Sequence, residues 1–168
     1  LYVCWGALAG IYYHFGIQKI QLEKKLSGVY THRVLDRCES LVRGFDDIFT
    51  APHSRYSGVR REEIVNHPEL QLLAESEEAG VYLIKSLDER HVFLFGHPEY
   101  DRMSLDAEYR RDIAKGISIA PPEHYYENDD PEMTPILTWR AHANTLYTNW
   151  LNYYVYQVTP YDMVETPV

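Results

Sequence analysis

The stretch LYVCWGALAG admits few local structures. Leu1, Tyr2 and Val3 have the apolar, aromatic and β-branched character of a buried strand. Trp5 to Gly10 suit a helix, and no turn-forming residue separates the two segments. Gly16 stands where a C-cap belongs, so a helix is predicted over residues 5–15. A strand that runs directly into a helix places that helix on a sheet face, which is the layout of an α/β sandwich. Cys4 occupies the junction. Free cysteine is among the most buried residue types, so Cys4 is either packing or a thiol held up on a sharp elbow. At an elbow it faces the free N–H groups and positive dipole end of the helix, both of which favour thiolate. The N–H of Trp5 would then point at an oxyanion formed over the sulfur.

The rest of the chain alternates strand and helix signals. IQKIQLEKKLSGVYTHRVL has strand-like alternation around Gly28, which predicts a hairpin or a bulge there. RGFDDIFTAPHSRYSG carries scattered Gly, Pro, Asp and Ser with little periodicity, and predicts a long loop. A short helix is predicted in RREEIVNHP, ended by Pro68, followed by strands in LQLLAE, GVYLIKS and HVFLF. MSLDAEYRRDIAKG predicts a helix with Ser104 as cap and Gly116 as stop. ISIAPPEHYYENDDPEMTP is irregular, and Trp139, Ala143, Leu146, Trp150 and Tyr154 recur at helical spacing up to about residue 158. There is no internal repeat, low-complexity tract or linker, so residues 1–168 form one compact unit.

Charge and cysteine content exclude several function classes. The net charge of −9 opposes binding to nucleic acid or an anionic membrane, since both reward basic patches. Two cysteines, Cys4 and Cys38, make no disulfide framework and suit a reducing compartment. No apolar run approaches the roughly 20 residues that span a bilayer. The chain begins without Met, in what looks like mid-strand, and is expected to be the C-terminal portion of a longer catalytic domain.

His97-Pro98-Glu99 follows an apolar strand and Gly96. In extended backbone, residues two apart share a side. Pro98 fixes its own φ and biases His97 toward extended geometry. The carboxylate of Glu99 can therefore sit beside the imidazole of His97 and fix its tautomer, the orienting role in a nucleophile–base–acid triad. Alone, such a pair is more often a polar strand end.

A cysteine elbow with a downstream Gly-His-Pro-Glu resembles the class I glutamine amidotransferase-like superfamily, whose three-layer α/β sandwich is the expected fold. Leu8 departs from that pattern, in which glutamine is usual at the fourth position after the nucleophile. CWGALAGIYYHFGI, EKKLSGVY, LVRGFDDIFTAPHSRY, GHPEYD and NTLYTNWLNYYVYQVTPYD together resemble the homoserine O-acyltransferases of methionine biosynthesis, from Tyr2 to Met163. The resemblance implies a cytoplasmic enzyme with Cys4 as acylated nucleophile, His97 as general base and Glu99 as its orienting acid. It implies acetyl-CoA or succinyl-CoA and L-homoserine as substrates, no bound cofactor and no metal. It also implies that a residue of the N-terminal half selects the acyl donor. Lys25, Ser54 and Arg111 match the family's substrate-binding residues. Arg111 has Ala107 four residues earlier, leaving its fork freer than that of Arg110, which faces Asp106; Glu108 is its competing partner. Two alternatives are glutamine hydrolysis at the same triad and a non-catalytic truncated domain. Oligomeric state is left open, a homodimer included.

Overall fold

The computed structural model describes residues 1–159; residues 160–168, which include the end of the family-like stretch at Met163, lie outside the described residues. Strand β1 (Tyr2–Val3) runs into helix α1 (Trp5–Phe15), followed by β2 (Ile20–Val34), β3 (Ile48–Gly58), α2 (Arg61–Val65), β4 (Leu70–Ser76), β5 (Gly80–Ser86) and β6 (Val92–Leu94). Helices α3 (Ser104–Ala114) and α4 (Arg140–Asn149) complete the order, and α4 continues as a π-helix over Trp150–Tyr156. The strands form one sheet in the order β1-β6-β5-β4-β2-β3. Among the described strands, the β1–β6 pair alone is parallel.

Strand alternation sorts the apolar side chains onto two faces. Leu72, Ile84, Phe93 and Phe95 pack with Ala7, Leu8 and Ile11 of α1 and Ile64 of α2. Their neighbours Leu73, Leu83, Val92 and Leu94 pack on the other face with Leu146, Trp150 and Tyr154. Helix, sheet and helix make the three-layer sandwich expected from the sequence. A smaller cluster of Val29, Leu105, Tyr125, Tyr126 and Trp139 seats α3 and the irregular segment beyond it. Gly16 closes α1 in the left-handed conformation (φ 71°), its N–H bonded to the Tyr12 carbonyl at 2.9 Å.

Three local expectations are corrected. The loop predicted across residues 43–58 is largely β3, the sheet's edge strand, paired antiparallel to β2 from Ile48 to Gly58. An edge tolerates Pro52, and the polar residues that hid the strand, His53 and Arg55, are buried through hydrogen bonds to each other. At Gly28 there is neither hairpin nor bulge: β2 runs on, and its irregularity falls between Gln21 and Leu26. Gly28 is needed because residue 123 docks against it, with Glu123 N–H bonded to the Ser27 carbonyl and Val29 N–H to the Glu123 carbonyl, both at 2.9 Å. Ser104 is not a cap; it lies inside α3, behind Met103, and no side chain caps that end.

Candidate active site

Cys4 belongs to the sheet and the helix at once. Its N–H makes the last β1–β6 bond, to the Leu94 carbonyl at 2.7 Å, and its carbonyl accepts from Leu8 N–H at 3.1 Å, closing the first turn of α1. Meeting both demands forces φ 48° and ψ −110°, a strained conformation for a residue with a side chain. Small residues allow the tight turn: Ala7 is fully buried, and Gly10 lies under the Tyr2 and Phe93 rings, where a Cβ would meet Tyr2 at 2.8 Å. The half-buried thiol rests 4.0 Å from the Ser54 carbonyl on β3. The Trp5 N–H lies in the first turn, where such groups have no acceptor within the helix.

His97 follows β6 and is fastened to the edge strand by its N–H, bonded to the Pro52 carbonyl at 2.8 Å. Its Nδ1 donates to Glu99 Oε1 at 2.7 Å, which leaves Nε2 as the nitrogen for the thiol. The Tyr100 ring stacks on the imidazole, centroids 4.3 Å apart. Burial alone would lower the His97 pKa; hydrogen bonds and negative charge from Cys4 and Glu99 outweigh it and raise the value to about 9. Tyr147 of α4 faces the Glu99 carboxylate, and burial together with that charge pushes its hydroxyl up to about 12.

Lys25, Ser54 and Arg111 converge beside this group through two carboxylates. Ser54 Oγ donates to Glu108 Oε2 in a short bond, and Lys25 Nζ reaches the same oxygen at 3.4 Å and Asp112 Oδ2 at 3.1 Å. Arg111 is the exception to expectation. Its fork is not free, and its partner is not Glu108: Nη2 and Nε both bond Asp112 Oδ1, at 2.8 and 2.9 Å. Arg111 is more than half exposed, so solvent can still reach its remaining donors. Tyr100, which no motif singled out, links the two groups by stacking on His97 and donating to Glu108 Oε1 at 2.6 Å. Its position directly after His-Pro-Glu was the available signal. Burial would raise the Glu108 carboxyl, but Ser54, Tyr100 and Lys25 hold it below its usual range. Asp112 is likewise lowered, by Arg111 first and then Lys25. Two cations and two carboxylates thus balance in one cluster, tied to the thiol's neighbour Ser54.

The model of the homoserine O-succinyltransferase family matches residues 1–161. Homoserine O-acetyltransferases of Lachnospira eligens and Bacteroides thetaiotaomicron are 58% and 53% identical to this chain, over 99% and 97% of its length. The matches cover 54% and 53% of those proteins, so the chain spans about half the length of the curated relatives it matches. Among solved structures, a glutamine amidotransferase from Methylobacillus flagellatus superposes with a TM-score of 0.59 at 14% identity, over 89% of this chain and 61% of that one. One from Thermotoga maritima gives 0.55 at 13%, over 88% and 55%. At such identities the likeness is one of fold. The match to the family model across nearly every residue, with relatives above half identity, decides the matter: the chain belongs to the homoserine O-succinyltransferase family.

Proposed function

We propose that this chain supplies the nucleophile, base and amino-acid cradle of a cytoplasmic acyltransferase that moves an acyl group from acyl-CoA to the hydroxyl of L-homoserine, in methionine biosynthesis. The observation that carries this reading is a thiol on a strained elbow beside an imidazole whose proton it helps to hold. Cys4 as thiolate attacks the acyl-CoA carbonyl, the carbon–sulfur bond to CoA breaks, and the departing CoA thiolate takes the proton of His97. The thioester on Cys4 is neutral, so part of what raised His97 is gone, and its Nε2 becomes a free base. That nitrogen accepts the homoserine hydroxyl proton as the oxygen attacks the thioester. Cys4 leaves as thiolate beside a protonated His97, and the cycle closes.

Homoserine is a zwitterion, and the cluster offers both complements. Lys25 and Arg111 suit its carboxylate, and Glu108, held ionised, suits its ammonium group. The names of the relatives favour acetyl-CoA as donor. The test is acylation of the intact protein with acetyl-CoA or succinyl-CoA, read as added mass at Cys4, followed by release on adding homoserine. Acetyl mass discharged by homoserine supports the reading. Labelling from glutamine instead, or no adduct from either thioester, overturns it.

A further inference from the structure

The face of β3 opposite the Ser54 hydroxyl carries a buried polar row that the acyl-transfer chemistry does not use. His32, His53 and Arg55 are all at least nine-tenths buried. Arg55 Nε donates to His53 Nδ1 at 3.3 Å, so that nitrogen holds a lone pair and the His53 proton sits on Nε2. His53 Nε2 then donates to His32 Nε2 at 2.9 Å, which leaves the His32 proton on Nδ1, a buried atom that finds no hydrogen-bond partner among the described residues. Burial holds both imidazoles neutral, lowering His32 to about 3 and His53 well below the ordinary value. The charge of the row therefore rests on Arg55 alone.

The other donors of Arg55 also end on uncharged groups, Nη1 on the Ser57 carbonyl at 2.7 Å and Nη2 on the Ala79 carbonyl at 2.5 Å. Gly58 makes room for it: a Cβ there would lie 2.8 Å from Nη1. Among the described residues no carboxylate forms an ion pair with Arg55, and a buried cation without a counter-ion is costly. The thiol of Cys4 rests on the Ser54 carbonyl, one peptide from Arg55. Burial draws the guanidinium down to about 10, and negative charge at Cys4, ahead of Tyr30, works against that pull. Coulomb attraction is mutual, so the cation favours the anion equally.

We propose that Arg55 is the buried counter-charge of the Cys4 thiolate, a positioning residue that favours the anionic nucleophile without touching substrate. The inference rests on Cys4 being the nucleophile. The ionisable groups facing Cys4 are His97 and Tyr100 in the segment after β6, with Glu99 behind His97, and Arg55 on β3. Of these, Arg55 alone is a cation with no carboxylate partner among the described residues.

The test is the pH profile of iodoacetamide alkylation in the intact protein, scored by mass spectrometry at Cys4, with the exposed Cys38 as internal reference. Arg55→Gln is expected to slow alkylation of Cys4 about tenfold at pH 7 and to converge on the parent rate near pH 10. Arg55→Lys, which retains the charge, should stay within about threefold of the parent throughout. A folded Arg55→Gln protein with the parent profile overturns the proposal. So does an Arg55→Lys protein with its circular dichroism intact but its Cys4 as slow as in the glutamine variant, and that arm decides alone if Arg55→Gln does not fold. If parental Cys4 reacts no faster than Cys38 at pH 7, the nucleophile assignment itself fails and this inference falls with it.

Discussion

At the scale of residues, the proton of His97 is the quantity on which the chemistry turns. Hydrogen bonding and negative charge at Cys4 and at Glu99 raise its pKa. Replacing Cys4 by alanine removes the part due to Cys4, so the imidazole midpoint, followed by its C–H resonance in NMR, is expected to fall from about 9 toward the ordinary histidine value. A midpoint that stays put would assign the whole effect to Glu99. His97→Ala is expected to lower acyl transfer by about three orders of magnitude, since neither proton transfer then has a carrier. The variant should stay folded, with an unchanged far-UV circular dichroism spectrum, because the backbone bond from residue 97 N–H to the Pro52 carbonyl does not need the ring.

At the scale of elements, the turn that lifts Cys4 and the bridge that seats residue 123 are both made by backbone geometry. A Cβ at Gly28 would collide with the Glu123 carbonyl, and Glu123 cannot retreat without losing its two ladder bonds to Ser27 and Val29. Gly28→Ala is therefore expected to destabilise the protein by about 1–3 kcal/mol, read as a shifted urea midpoint. Gly16 is a different case: nothing lies near a Cβ there, and only the left-handed φ resists substitution. Gly16→Ala should cost about 1 kcal/mol. Equal losses at the two positions would mean that close approach at Gly28 contributes nothing beyond backbone strain.

At the scale of the whole molecule, one buried ion pair ties the sheet to the C-terminal helix. Lys85 Nζ lies 2.5 Å from Glu39 Oε2, both side chains 8% exposed, and Tyr154 of the π-helix donates to Glu39 Oε1 at 2.5 Å. Burial would raise the Glu39 carboxyl, but Lys85 and Tyr154 hold it below its usual value. Removing Lys85 strands that carboxylate, so Lys85→Ala is expected to cost about 3–5 kcal/mol, measured by chemical unfolding at pH 7. The two shifted groups give stability opposite pH dependences. Glu39, lowered on folding, contributes above the unfolded carboxylate value and loses that contribution as pH falls through its folded one. His97, raised on folding, contributes fully below the ordinary histidine value and loses it as pH climbs to about 9. Unfolding free energy measured against pH should lose its acid-side step in Glu39→Gln and its alkaline-side step in His97→Ala.

The sequence by itself determined α1, its Gly16 terminus, the three strands β4, β5 and β6, and the Cys4 elbow, because each is written in adjacent residues: a two- or 3.6-residue apolar rhythm and its stop signals. The nearness of Glu99 to His97 was equally local, since two residues of extended chain impose it. Strand β3 was illegible, because its inward face passes from Phe49 and Ala51 to His53 and Arg55, so the apolar alternation stops halfway along an edge strand that also carries Pro52. The helical spacing of Arg111 could exclude Arg110-like pairing but not the adjacent Asp112, whose carboxylate is fixed between Arg111 and Lys25 from β2. What only the tertiary structure decided is which groups from distant segments share one site. Residues 4, 25, 54, 97, 100 and 108 meet there because five separate backbone segments converge, and no local pattern encodes such a distance.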